Sequence, residues 1–211
     1  MTRSETLVYA AATRQLQAED IVIRSVRISD SLGGDVEIDL LLLLPGFGVA
    51  VVEVKGGQLI FRGGQWSIRT LRGERRTNPV QQARRAKHAL RRYIERQPSW
   101  TGGRLRVQWF VAAPFTDVNQ DFGPEGPRQQ LLGKHDLDTM VSRIKETLGG
   151  PAIPEPRLSS DDAHALKYLL ENTAGQPAQQ SRARRIALAA ICAGLLLVPL
   201  VTWVGKSHDA R

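Results

Sequence analysis

The chain has 211 residues, 42% of them hydrophobic, which is enough for one domain with a proper core plus appendages. Its 29 Lys+Arg outweigh 21 Asp+Glu for a formal charge of +8, which favours a polyanionic partner, either nucleic acid or an anionic membrane surface. The single cysteine, Cys192, excludes an intramolecular disulfide framework and a Cys-based zinc site, and is consistent with a reducing compartment.

The opening "MTRSETLVYA" lacks the basic-then-apolar pattern of a signal peptide. "RSETLVYAAATRQL" predicts a first helix with Ser4 as its cap, and "DIVIRSVRIS" a strand whose apolar members are Ile21, Ile23, Val26 and Ile28. "GGDVEIDLLLLLPGFGVAVVEVKGG", residues 33 to 57, predicts two strongly apolar strands joined at a Pro-Gly turn. "GQLIFRGGQWSIRT" predicts a short hairpin turning at Gly63-Gly64. "TNPVQQARRAKHALRRYIERQ" is the best helix, with Asn78 as cap, Pro79 at the first helical position, and Val80, Ala83, Ala86 or Lys87, Leu90, and Tyr93 or Ile94 on one buried face. "LRVQWFVAAPF" predicts a central strand, "RQQLLG" a last short one, and "HDLDTMVSRIKETLGG" a helix opened near Asp136. "PAIPEP" marks the expected end of the compact domain, and "SSDDAHALKYLLENT" a short helix within the following linker. The order of elements predicts an α/β fold, a mixed sheet covered by helices.

"IALAAICAGLLLVPLVTWV", residues 186 to 204, carries no charge. As a helix it would span about 28 Å, close to the ~30 Å bilayer core, so we read it as a membrane anchor. Arg182, Arg184 and Arg185 precede it, against Lys206 and Arg211 after it, a bias that puts the N-terminal portion in the cytoplasm. The expected division is a domain over 1–150, a linker over 151–185, the anchor over 186–204, and a tail over 205–211.

Charges in otherwise buried strands cost free energy unless paired, hydrogen-bonded or bound to metal. Glu37 and Asp39 share a face of the first apolar strand by alternation, as do Glu53 and Lys55 in the second. Pairing Leu43 with Val49 leaves residues 44 to 48 as loop and sets Asp39 opposite Glu53 and Glu37 opposite Lys55. A four-residue loop would separate Asp39 from Glu53 unless a bulge intervened. Two adjacent carboxylates repel, and a Mg²⁺ ion with its retained waters resolves that repulsion. A lysine beside them could orient or help deprotonate an attacking water, a combination suited to phosphodiester hydrolysis. The competing reading is a Glu37–Lys55 ion pair with Asp39 and Glu53 solvated at the strand ends.

"EID" before an apolar run, "PGFGVAVVEVKGG", "GGQW" and "NPVQQARRAKHALRR", taken in order, resemble the nuclease-related domain, a family placed among the PD-(D/E)xK nucleases. The resemblance covers about residues 1 to 145. It implies a restriction-endonuclease-like core with a nuclease site dependent on Mg²⁺ or Mn²⁺. Asp39 matches the acidic residue of the first catalytic strand, and Glu53 and Lys55 match the "ExK" of the second. Glu5 resembles an acidic residue placed near the metal, and Gln82 a glutamine of the helix that follows the hairpins.

The helix bearing Gln82 is strongly basic, and its Arg84, Arg85, Lys87 and Arg91 are candidates for phosphate contact without sequence readout. The four histidines have no ligand spacing, and no "GxxxxGK[ST]" loop occurs, so a nucleotide cofactor is not expected. Two functions follow from the sequence. One is a membrane-anchored, divalent-metal-dependent nuclease acting on DNA; the other is a non-catalytic module that binds nucleic acid or a partner while retaining the fold.

Overall fold

A computed structural model describes residues 2–30, 34–151 and 153–174. The apolar segment 186–204 and the tail after it lie outside the described residues. Among the described residues no helix is long and apolar enough to cross a membrane.

Helix α1 (Arg3–Thr13) starts at Thr2, not Ser4. The Thr2 side chain accepts from the Glu5 N–H, and the Glu5 carboxylate accepts from the Thr2 N–H at 2.9 Å, a reciprocal capping box. Strands β1 (Ile21–Asp30), β2 (Gly34–Leu44) and β3 (Gly48–Val54) form an antiparallel meander. Leu43 pairs with Val49, as the sequence register requires, and Leu44 pairs with Gly48 as well. The loop therefore tightens to Pro45, Gly46 and Phe47, with Gly46 at φ 78°, a left-handed conformation that glycine adopts at no steric cost. The chain then leaves the sheet for a second sheet of β4 (Gln58–Arg62), β5 (Gln65–Thr70) and β6 (Gly73–Arg76). It returns through α2 (Pro79–Glu95) to β7 (Val107–Ala112), parallel to β3, and β8 (Leu131–Leu132) extends that edge. The main sheet has the order β1-β2-β3-β7-β8.

Helices cover both faces of that sheet. Leu41, Leu43, Val49 and Val51 pack with Ala86, Leu90 and Ile94 of α2 and with Ala163, Leu166 and Leu170 of α4 (Ser160–Ala174). Leu40, Leu42, Ala50 and Val52 pack with Val8 and Ala12 of α1 and with Met140, Ile144 and Leu148 of α3 (Met140–Gly149). Helix α4, expected inside a linker, is thus part of the core. Arg106 holds the segment leading to it, donating to the backbone carbonyls of Leu148, Ile153 and Glu155 at 2.7–2.8 Å. Asp136 precedes the 3-10 turn Leu137–Thr139 that runs into α3, but its side chain does not cap that turn. It is buried, paired with Arg128 and Arg143, and accepts from the Gly133 N–H at 2.7 Å.

The small sheet docks through Leu59, Trp66 and Ile68 onto Val80 and Ala83 of α2 and onto Trp109 and Val111 of β7. The segment joining the two sheets packs tightly against β5 at Gly57. A Cβ there would lie 2.5 Å from the Arg69 carbonyl oxygen and 3.0 Å from Thr70 Cγ2. Substituting Gly57→Ala is therefore expected to destabilise the domain by about 1–3 kcal/mol, since the obstacle is backbone. Urea unfolding monitored by circular dichroism measures this, and an unchanged midpoint would mean that β5 yields to the added methyl group without cost.

Candidate nuclease centre

The centre forms where β2 and β3 run past their last shared pair, Leu40 with Val52. Continuing that register brings Asp39 opposite Glu53. Asp39 accepts a hydrogen bond from the Val54 N–H at 2.7 Å, so its carboxylate lies across the end of β3. Glu53 pairs with Val111 of β7 on its other side. Val111 packs beneath Val80 and Ala83, which sets the first turns of α2 over this end of the sheet. Lys55 donates to Glu53 Oε1 at 2.5 Å, with both side chains about 15% exposed. The Lys55 N–H is held in turn by the Ala112 carbonyl at 2.9 Å.

The local backbone is irregular at Asp39. Its neighbours across β1 are Arg24, paired with Leu40, and Val26, paired with Ile38. Between them Ser25 has φ 50°, a strained conformation for a residue with a side chain. Core-facing parity slips there on both strands. Ile23 and Val26 reach one cluster, as do Ile38 and Leu41, each couple three residues apart. The slip explains why Glu37 does not accompany Asp39. Glu37 is exposed and pairs with Arg27 at 3.4 Å, so the Glu37–Lys55 pair of the competing reading does not form.

Electrostatics single out Asp39. Burial, and then the neighbouring charge of Glu53, push its carboxyl up to about 6, against the opposing pull of the Val54 hydrogen bond and Lys55. Glu5 also raises it, so the first turn of α1 lies within electrostatic reach. Contact supports this: a Cβ on Gly56 would meet Ser4 Oγ at 2.9 Å. Glu5 itself is occupied by the capping box, and among the described residues no group of three His, Cys, Asp or Glu side chains is gathered to hold a metal. The donor set is therefore two carboxylates. That suits Mg²⁺, which takes one or two carboxylates and keeps several waters.

The α2 residues divide by face. Gln82 is exposed near the start of the helix, as is Arg85. Arg84 donates to the Pro124 carbonyl at 2.5 Å and lies over the Trp109 ring. Lys87 donates to Gln108 at 3.3 Å, and burial followed by Arg91 lowers its amine below the usual lysine range. Arg91 donates to the Leu105 carbonyl and pairs with Glu155, each at 3.0 Å. Three of the four candidate phosphate contacts on α2 thus fasten the helix to its own domain. Sequence reading missed Thr116, a buried hydroxyl that accepts from the Leu59 N–H at 2.8 Å and donates to the Gly57 carbonyl. It pins the chain just beyond Lys55, and nothing in the spacing of "APFTD" signals it.

Asp39 ties stability to pH with a definite sign. Its folded value, about 6, exceeds the ordinary 3.8, so the fold binds this proton more tightly than the unfolded chain does. The associated stability is present below pH 3.8 and is lost as pH rises through about 6. Metal-free Asp39→Asn should therefore melt higher than wild type above pH 6, and the gap should shrink at lower pH. Thermal unfolding on both sides of pH 6 checks this, and a variant less stable at every pH would contradict it.

The nuclease-related domain family model matches residues 2–114, from the α1 cap through β7. No curated protein and no solved structure matches the chain. The family match spans more than half of the chain and contains Glu5, Asp39, Glu53, Lys55 and Gln82 in one continuous stretch, so the chain belongs to the nuclease-related domain family.

Proposed function

We propose that the chain is a divalent-metal-dependent nuclease that hydrolyses phosphodiester bonds of DNA. The observation that carries this reading is Asp39 beside Glu53, a pair of half-buried carboxylates with Lys55 as the adjacent cation. A structural ion pair needs one carboxylate, and the second raises the cost of ionising both. Such an excess of negative charge is tolerable if a divalent cation shares it.

Asp39 and Glu53 would hold the ion, and Glu5, held in its cap, would assist only after release or through a bridging water. Mg²⁺ or Mn²⁺ there would supply charge neutralisation at phosphorus and ease deprotonation of the attacking water. Lys55 gives one of its three N–H donors to Glu53, leaving two to orient the water or a phosphoryl oxygen. In the hydrolysis the water oxygen joins phosphorus, the bond to the leaving sugar oxygen breaks, and that oxygen takes up a proton. Gln82, exposed near the start of α2, would support the site.

The full-length chain in neutral detergent should cut DNA with Mg²⁺ or Mn²⁺ and not with EDTA. Lys55→Ala should slow cleavage by about 10²–10⁴-fold, the usual contribution of a positioned proton-transfer group. Equal rates for wild type and variant would remove Lys55 from the chemistry. The hold of the α1 capping box on Glu5 favours a second reading, a non-catalytic module that binds nucleic acid or a partner. Salt-sensitive DNA binding with no metal-dependent cleavage would select it.

We further propose that residues 186–204 anchor the protein in a membrane with its N-terminal domain in the cytoplasm. Deleting residues 186–211 should move the protein from the membrane fraction to the soluble one. Continued sedimentation with membranes would transfer the tethering to the basic surface.

A further inference from the structure

The small sheet holds five arginines, Arg62, Arg69, Arg72, Arg75 and Arg76, against one carboxylate, Glu74. Glu74 accepts from the Ser67 hydroxyl at 2.5 Å and pairs with Arg69 at 2.9 Å. Those two contacts, the hydroxyl first, keep its carboxyl below the ordinary range; Arg69 is its ion-pair partner and Arg62 adds a weaker electrostatic pull, which leaves one carboxylate against five arginines. Arg62, Arg72, Arg75 and Arg76 remain exposed, an unbalanced cluster unlike the inward-fastened cations of α2.

Geometry sets one end of this hairpin beside the carboxylates. Only Lys55, Gly56 and Gly57 separate β3 from β4, a reach of about 10 Å at ~3.3 Å per residue. Gly57 abuts the backbone of Arg69 and the side chain of Thr70, so the β5–β6 turn, Thr70 to Gly73, lies at the Lys55 end of the small sheet. Leu71 projects fully from that turn, 109% exposed, with Arg72 next to it. A lone exposed leucine ordinarily needs no explanation. One at the tip of an arginine-rich ribbon, next to paired carboxylates, has the composition of a nucleic-acid wedge: cations for phosphates and an apolar tip for base faces.

We propose that the β5–β6 hairpin is the surface that grips duplex DNA beside the cleavage centre, with Arg72 and Arg75 contacting phosphates and Leu71 seating against bases. This rests on the nuclease reading for its substrate class but not on catalysis. Charge on β6 also discourages edge-to-edge strand pairing, yet an edge is protected by a single charge and this one carries several.

The test measures binding of the full-length chain, in neutral detergent and EDTA, to a short fluorescent DNA duplex across a salt series. Arg72→Gln with Arg75→Gln should weaken binding several-fold and reduce the slope of log K against log salt by about 1.8, at ~0.9 per lost phosphate contact. Lysine at both positions should restore the slope. Leu71→Ser should weaken binding and leave the slope unchanged, because its contact releases no counterion. The charge-matched control, Arg96→Gln with Arg157→Gln, should leave both quantities unchanged; both residues are exposed and lie outside the hairpin. Equal losses in hairpin and control variants, or no loss in either, would overturn the inference. So would hairpin-dependent affinity for phosphatidylglycerol mixed micelles without any for DNA. If hairpin-dependent binding holds while no metal supports cleavage, the nuclease reading fails alone. If cleavage proceeds while binding ignores the hairpin, the inference fails alone.

Discussion

The hydrogen bond from the Val54 N–H to the Asp39 carboxylate ties the centre together. The β2–β3 ladder ends at Leu40 and Val52, and beyond it the two strands have no backbone bond to keep them in register. The Val54 N–H, which would otherwise be an unsatisfied buried donor, binds a side-chain oxygen at 2.7 Å. A charge-assisted bond of this type is shorter and stronger than a neutral one, and it offsets part of the cost of burying Asp39. It also fixes which way the carboxylate points, toward the strand that carries Glu53 and Lys55. The same atoms complete the strand end and aim the functional group.

That economy depends on counting residues correctly in the turn. With Leu43 against Val49, the positions on β2 and β3 that pair sum to a constant, and Asp39 meets Glu53. A deletion of one residue between Leu44 and Gly48 would exchange the faces of one strand and separate the two carboxylates. The strain at Ser25 belongs to the same construction. The outer strand must follow β2 through a point where its facing slips, and the adjustment falls on one residue opposite Asp39.

The register, the cap of α2 at Asn78 and the family motifs were all legible because each depends on near neighbours in sequence. Asn78 accepts from the Gln81 N–H at 2.9 Å, and Pro79 sits first in the helix, as local rules demand. What escaped was decided by distant partners. Strand β6, "GERR", is exposed throughout and has no apolar alternation to reveal it; only its pairing with β5 makes it a strand. Helix α4 read as part of a linker because "PAIPEP" looks like a boundary, but Leu158, Ala163, Leu166 and Leu170 fill the face beside α2. Glu37 forms a structural ion pair, but with Arg27 and not with Lys55, because strict alternation takes no account of a slip at Asp39.

The basic residues teach the most about reading charge. Helix α2 carries five Lys and Arg residues, yet Arg84, Lys87 and Arg91 find acceptors inside the domain. On a helix, residues three and four apart share a face, so this stripe follows the helix side that lies against β7. Long cationic side chains can then run along the packing surface to reach a carbonyl, an amide or Glu155. The β5–β6 hairpin has no comparable supply: its single carboxylate is held by Ser67 and Arg69. Charge along the chain therefore draws attention to α2, while the charge left unbalanced after folding, among the described residues, is concentrated on the hairpin.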